Sequence, residues 1–353
     1  MSQSNNLRRK ILLPIALLKA DYQRKQPQIS LNRYLMLSKG FIAESTILYN
    51  LTMKNFNYYL SDYQAMNTRD INHQSAYFLN NKVAFTDMLE GLAEMPATLA
   101  IIQNREFISR TELFYDAKTL VDYLQADSLR KVVIKPIFGM EGQGVWVVNW
   151  EDGKVRMNDQ LLSSEAFQRY LLSLEVGYFI SEYICQGQFS QSLFPNSVNT
   201  IRMLTMIDPA NQQAFIAAST YRVGTNLSAP TDNFRRQGLS VAVNPVSGRL
   251  GRAAMIPQNG QLQWYENHPD TKKQLTGRII PNWEQVTRCV LDVANYVYQT
   301  KQIHYVGWDV VLTDTGISLL EGNSIPGVSL HQVHHPLLTN PDVKRFYAFH
   351  GVV

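Results

Sequence analysis

Two carboxylates and an amide, Asp309, Glu321 and Asn323, sit on two apolar runs, residues 307–312 and 317–323, joined by Thr313-Asp314-Thr315-Gly316. A glycine-containing break of this length predicts a β-hairpin. With Asp314-Thr315-Gly316 as the loop, residue 313 pairs with 317 and Asp309 falls opposite Glu321. Side chains alternate along a strand, so Glu321 and Asn323 share a face. One end of the hairpin then gathers three hard oxygen ligands, a set that suits Mg2+ with a shell completed by water and phosphate. The same residues also suit a solvated hairpin with acids near its turn, and the rest of the chain has to separate these readings.

A second grouping lies at residues 133–145. Lys135 ends an apolar run, a loop with Gly139, Gly142 and Gly144 follows, and Val145 opens another apolar run. Glycines let backbone N–H groups approach an anion, and a lysine adds a point charge. No Gly-Lys-Ser/Thr is present and no helix pattern follows, so this is not a P-loop. Strand, glycine loop and strand suit a flap folded over a nucleotide triphosphate, or an ordinary glycine hairpin.

The elements that must position these residues are legible in part. Residues 1–78 are rich in Tyr, Leu and Asn and read as mainly helical, the tyrosines as packing groups with a polar tip. Phe85, Met88, Leu89 and Leu92 recur at helical spacing, with Gly91 and Pro96 as stops. Strands are expected at 98–102, 132–134, 145–148 and 178–184, and helices at 118–124 and 167–174. The second half is richer in strands: 200–207, 214–221 and 239–243. Asn282 with Gln285 predicts a capping box for a helix whose apolar face is Trp283, Val286, Val290, Val293 and Val297. Helices and strands without strict βαβ alternation argue an α+β fold. The expected division is 1–78, a helical N-terminal region; 79–175, a first lobe with the glycine flap; and 176–353, a second lobe with the metal hairpin.

Composition narrows the function. The chain has 353 residues and a net charge of +4, with no basic run of the kind nucleic acid requires. Two distant cysteines, Cys185 and Cys289, imply no disulfide framework and fit a reducing, cytoplasmic setting. Cys185 is expected to be packed. Residues 8–10 are basic and 11–18 mostly apolar, but that run is too short to span a bilayer and contains Pro14. A short helix is expected there, with reversible membrane-surface contact as the lesser alternative and no stable membrane insertion.

Taken together these residues resemble the ATP-grasp superfamily over roughly residues 78–335. Lys82, Lys135 with its glycine loop, the strand bearing Glu182, and Asp309, Glu321 and Asn323 follow that family's order. The chain is similar to the sugar-transfer-associated branch, related to glutamate ligases. Matching segments are Val198-Asn199-Thr200-Ile201-Arg202, Asp232-Asn233, residues 244–250, Ile280-Pro281-Asn282-Trp283 and Val306-Gly307-Trp308-Asp309. Lys39-Gly40-Phe41, Tyr49-Asn50-Leu51 and Tyr59-Leu60-Ser61-Asp62 also look like that branch.

The resemblance implies two α+β lobes clasping ATP. Lys82 and Lys135 would grip the α- and β-phosphates, and the backbone of Gly142 and Gly144 would close over them. Glu182 and the backbone of Tyr183 and Ile184 would meet the adenine edge, with Gln186 or Gln188 toward the ribose. Asp309, Glu321 and Asn323 would hold Mg2+, Glu321 bridging two ions. Arg202, beside Lys135 in catalysis, would stabilise the transferring phosphoryl group or bind an acceptor carboxylate. The implied activity is an ATP-dependent carboxylate–amine ligase working through an acylphosphate, in surface-polysaccharide or related small-molecule biosynthesis, on substrates that are carboxylates and amines. An ATP-grasp kinase and a non-catalytic nucleotide-binding protein are the alternatives. Glu141 in the flap and Arg235-Arg236 after Asn233 depart from the branch's glycines. His331, His334 and His335 are candidates for an acceptor pocket rather than a zinc site. Acceptor identity and oligomeric state are not legible.

Overall fold

The computed structural model describes residues 14–23, 30–139, 144–258 and 260–353. By its internal contacts the chain forms two units, each with its own antiparallel sheet. One comprises residues 77–185 and 317–322. The other comprises 1–76, 186–316 and 323–353. The fold is α+β.

The first unit holds β1 (Thr98–Gln103), β2 (Glu106–Ser109), β3 (Lys131–Pro136), β4 (Trp146–Glu151), β5 (Lys154–Met157), β6 (Gln160–Leu162) and β7 (Tyr178–Glu182). They lie in the order β2-β1-β7-β3-β4-β5-β6. Helices Ala117–Gln125 and Ser164–Leu172 contribute Leu120, Leu124, Phe167 and Leu171 to one core with Val132, Ile134, Val148 and Ile180. Each helix starts on a side-chain cap, Asp116 and Ser163. Period-2 alternation places Val132 and Ile134 on the helix-covered face and sends Lys135 to the other. Lys135 pairs there with Phe179 of β7. Helix Lys82–Leu89 begins on an Asn81 cap, ends before Gly91, and is tied to the end of β3 by the Lys82 N–H to Ile137 O bond of 3.0 Å.

The second unit holds β8 (Thr200–Ile207), β9 (Ala214–Val223), β10 (Leu239–Val243), β11 (Leu250–Gln258), β12 (Gln261–Tyr265) and β13 (Tyr305–Leu312), ordered β12-β11-β10-β9-β8-β13. β8 and β13 are buried along their whole length. On one face helix Trp283–Lys301 packs on β8 and β9 with Val286, Val290, Val293 and Val297 inward. The expected capping box is not formed: Asn282 takes a left-handed conformation (φ 52°) and its side chain caps nothing. On the other face Leu204, Met206 and Tyr305 pack with Leu60, Ile71, Phe346 and Tyr347, the last two from helix Pro341–Phe349.

The N-terminal residues are part of this unit. Gln332 bonds both backbone groups of Leu60, at 2.8 and 2.9 Å. Asn72 donates to Tyr305 O at 2.6 Å and accepts from the His304 N–H at 2.9 Å. Tyr49 and Tyr59 stack at 4.9 Å, rings inward as their composition suggested.

β13 ends in the turn expected from Asp314-Thr315-Gly316, where the Thr313 N–H donates to Gly316 O at 3.0 Å. β14 (Ile317–Asn323) follows. Residues 317–322 belong to the first unit, in which the Leu319 N–H donates to Glu94 O at 2.8 Å, and the chain re-enters the second at Asn323. The turn is clamped by Gly187. Its N–H donates to Leu312 O at 2.7 Å, and Asp314 Oδ1 accepts from the Gln188 N–H at 2.7 Å. A Cβ on Gly187 would lie 2.7 Å from the Thr313 carbonyl carbon, a backbone atom with no room to move. Gly187→Ala should therefore lower stability by about 1–3 kcal/mol, read as a lower urea midpoint at an unchanged slope.

Candidate functional site

In the first unit the sequence-derived residues Lys82, Lys135 and Glu321 come together. Lys82 opens its helix and places Nζ 2.8 Å from Gly139 O and 4.0 Å from Glu321 Oε2. Lys135 is 9% exposed and lies over Phe179, Nζ 5.2 Å from the ring centroid. Its Nζ makes no hydrogen bond or ion pair among the described residues. Burial pushes the Lys135 ammonium down to about 8, Glu321 opposing the shift and Lys82 adding to it. Both lysines border a small hollow whose walls include Phe85, Met95, Phe179 and Leu320. A cation in a largely apolar hollow is a poorly solvated charge, and an anion entering the hollow would relieve it.

The remaining first-unit candidates surround β3 and β7. Gly144 has φ +67°, and a Cβ there would approach the Tyr178 hydroxyl to 3.0 Å, so this end of the flap needs glycine. Gly142 and Glu141 lie outside the described residues. Glu182 ends β7, and its carboxylate accepts from the Ala97 N–H at 3.0 Å. It thus holds the chain entering β1 as well as facing solvent. Tyr183 and Ile184 follow the last ladder residue, and Lys131 lies over the Tyr183 ring at 5.4 Å. Cys185 is exposed rather than packed, because it sits beyond the end of the strand.

In the second unit, Gln186 is excluded from ribose contact by its own bonds. Its amide donates to Phe194 O (3.1 Å) and Ser197 O (2.7 Å), and its oxygen accepts from the Asn199 backbone and side chain, both at 2.9 Å. Gln188 is exposed.

Arg202 and Asp309 are cross-strand partners on β8 and β13. Arg202 grips the carboxylate with two donors, Nε to Oδ1 at 2.5 Å and Nη2 to Oδ2 at 3.1 Å. Asp309 is 1% exposed. Arg222 of β9 reaches the same Oδ2 at 3.1 Å and Asp232 Oδ1 at 3.0 Å. Thr200 links the set, donating Oγ1–H to Asp232 Oδ2 at 2.6 Å and accepting from Arg222 Nη2 at 2.7 Å. Two cations thus meet two anions on one sheet face. Burial pushes the Asp232 carboxyl up, against the pull of Arg222 and of the Thr200 bond.

The sequence marked Arg202 and Asp309; Arg222 enters the set through the structure. The signal for it was Asp232-Asn233, which supplies the second anion and, through Asn233, the cap of the turn that follows. His331 joins the same face. Its Nδ1 lies 3.1 Å from Thr220 Oγ1, while its buried Nε2 has no partner. Burial and the Arg202 charge hold His331 well below the ordinary histidine range, so the ring is neutral. His334, pushed down to about 3 by burial, donates from Nε2 to Ser240 O at 3.1 Å, and His335 is exposed. Of the two arginines replacing the branch's glycines, Arg235 is ion-paired with Glu44 and Arg236 is exposed.

The hard-oxygen set can be tested against Mg2+ chemistry. Asp309 accepts N–H bonds from Arg202 and Arg222 on its two oxygens. Asn323 donates its amide N–H to Gly307 O at 3.1 Å. Both residues belong to the second unit and Glu321 to the first. The donor types fit a hard divalent ion. Among the described residues no group of three His, Cys, Asp or Glu side chains is placed to hold a metal without the amide.

A family model described as sugar-transfer associated ATP-grasp matches residues 63–343. No curated protein matches the sequence. Similar solved structures include D-alanyl-alanine synthetase A from Vibrio cholerae, 14% identical over 77% of this chain and 63% of that one, with a TM-score of 0.41. A RimK domain ATP-grasp protein from Sphaerobacter thermophilus is 13% identical over 75% and 68%, TM-score 0.38. VanG D-Ala:D-Ser ligase from Enterococcus faecalis is 10% identical over 76% and 61%, TM-score 0.39. The chain spans less than two thirds of the first and third of these, and at such TM-scores the likenesses carry no argument about its activity.

Two outcomes test the electrostatics. Lys135 is charged in the folded protein below about pH 8, whereas an unfolded lysine keeps its proton to about 10.5. Between those values the unfolded chain binds more protons, so wild-type stability rises with pH across that window. Lys135→Met should stabilise at pH 7 by about 1–3 kcal/mol, with the gain shrinking toward pH 10.5 in urea titrations. Asp309→Asn should cost about 3–5 kcal/mol, because Arg202 and Arg222 are left with one anion; Arg202→Met with Asp309→Leu should recover most of that loss.

Proposed function

This chain belongs to the sugar-transfer associated ATP-grasp family, and from that membership we propose that it is an ATP-dependent carboxylate–amine ligase. The observation that carries the reading is Lys135: a buried ammonium at the head of the glycine flap, without an acceptor among the described residues, on the wall of a cavity that Lys82 also borders. A polyphosphate supplies the missing negative charge. Even pushed down to about 8, Lys135 stays mostly protonated at neutral pH, and an anion beside it raises that fraction further.

In this reading Lys82 and Lys135 hold the α- and β-phosphates, and the backbone of Gly142 and Gly144 covers them. The adenine edge meets the backbone of Tyr183 and Ile184, just past the last ladder bond of β7. Glu182 fixes the approach of this segment through Ala97, and Gln188 is the residue left to reach the ribose. Asp309, Glu321 and Asn323 hold Mg2+, which when bound neutralises charge on the transferring phosphate.

A substrate carboxylate oxygen attacks the γ-phosphorus, the bond to ADP breaks, and an acylphosphate forms. An amine then attacks the acyl carbon, loses its proton, and phosphate leaves with the C–O electron pair. Arg202, fixed by its two bonds to Asp309, is oriented to stabilise the transferring group or the acceptor carboxylate. No side-chain nucleophile is required, since positioning and charge neutralisation supply most of the catalysis. The family's description connects it with sugar transfer, and a sugar-linked carboxylate or amine is the substrate class to try first.

The test follows ADP, phosphate and hydroxamate separately, with hydroxylamine as the amine and pooled sugar acids and amino acids as carboxylates. Wild type should give all three products. Glu321→Gln should lower hydroxamate formation by about 10²–10³-fold. Glu321 is the better target than Asp309, whose loss also unbalances two buried arginines. ADP with a stable phosphorylated product and no hydroxamate would make the protein a kinase. Nucleotide binding without turnover on any pool would sink the ligase reading.

A further inference from the structure

The charge of this chain is unevenly placed. Residues 1–40 carry eight of the 33 basic residues and one of the 29 acidic ones, a net +7, while the rest of the chain, with 25 against 28, is net acidic. The single acid, Asp21, is buried. It accepts from the Ala43 N–H at 2.6 Å and from Arg33 Nη2 at 2.8 Å. Leu17, four residues earlier on the helix formed by residues 14–23, is buried beside it in the same helical row.

The other side of that helix is apolar and uncovered. Ile15, Leu18 and Tyr22 are 57, 55 and 81% exposed, and Lys19 on the same side is exposed as well. Helix Leu31–Ser38 repeats the division: Met36 is fully buried, while Leu31, Tyr34 and Leu35 are 77, 56 and 40% exposed. Exposed Lys39 follows it. Single exposed apolar residues need no explanation, but six on two successive helices do. In sequence the first helix is flanked by Arg8, Arg9 and Lys10 on one side and Arg24 and Lys25 on the other. Those five lie outside the described residues.

We propose that the helix of residues 14–23 and helix Leu31–Ser38 dock this protein on an anionic lipid surface. The inward rows, Leu17 with Asp21 and then Met36, tie the two helices to the body. The outward rows enter the headgroup boundary, and exposed Lys19 and Lys39 meet lipid phosphates. Charge complementarity selects this occupant: a second copy of the chain would bring the same positive charge to the contact. No helix among the described residues is long and apolar enough to cross a membrane, so the contact is peripheral. The inference is independent of the ligase reading, because neither helix carries a residue assigned to the reaction.

The experiment is co-sedimentation of the full chain with vesicles of phosphatidylcholine alone, and of phosphatidylcholine with about one third phosphatidylglycerol. Binding should be at least about tenfold stronger to the anionic vesicles and should fall several-fold when salt is raised from about 0.1 to 0.5 M. Leu18→Ser with Tyr22→Ser should reduce binding about tenfold. The melting temperature should not change, since both side chains face solvent, and Lys19→Glu should weaken binding to the anionic vesicles alone. Equal binding to both vesicle types, binding to neither, or full binding by the double variant would each overturn the proposal. Sedimentation without lipid closes the remaining route: a wild-type dimer that the double variant converts to monomer would make this face a self-association surface and overturn it too.

Discussion

The carboxylate of Asp309, gripped by Arg202 across the strand pair and by Arg222 from the next strand, is the contact on which the larger unit is built. Both strands of that pair are buried from end to end, so Arg202 and Asp309 face each other with little access for water. The set balances because Asp232 supplies a second anion and Thr200 bridges it to Arg222. On the same face the strand pair changes character along its length. Leu204, Met206 and Tyr305 meet the terminal helices at one end, and the charged group occupies the other. An apolar set of equal volume would hold the strands as well or better. What the charged set adds is a fixed array of donors and acceptors at an otherwise sealed sheet face, with the neutral, half-satisfied ring of His331 beside it.

The smaller unit buries charge on opposite terms. Lys135 has an aromatic ring and a distant carboxylate where Arg202 has two bonded oxygens. The lysine's arrangement raises the energy of the folded chain relative to a paired cation; the arginine's does not. Strain of this kind persists where something outside the chain relieves it. β3 tolerates it because Val132 and Ile134, on the opposite face of the strand, lie in the helix-covered core and hold the strand regardless.

Local pattern carried much of this structure. Short apolar runs marked β3, β8 and β13, and helical spacing marked the face of Trp283–Lys301, because burial on both faces of a central strand and on one face of a helix leaves those patterns in the sequence. Lys135 was legible as a strand-end cation for the same reason. What local pattern could not carry were partners far apart in the chain. Glu44 neutralises Arg235 across 191 residues, and Gln332 clamps Leu60 across 272. Neither pair leaves a trace within a window of sequence. Asn282 shows a subtler failure: the cap residue was in place, but the backbone entering the helix is left-handed, and the side chain cannot reach the first free N–H groups. Gln186 and Cys185 were misjudged in opposite directions. The strand ends at Glu182, and the few residues after it decide which side chains turn inward.

The division of the chain between the two units has a consequence for synthesis. The smaller unit is assembled from 77–185 and the six-residue return at 317–322 that brings Glu321 and the Leu319 bond to Glu94. A ribosome delivers the first piece early and the second only after all of 186–316 has been made. Until then the emerging lobe lacks the carboxylate beside Lys82 and exposes the surface that Leu319 and Leu320 will cover. Neither unit can therefore be completed before the other is largely translated, and vectorial synthesis makes the two lobes finish folding together.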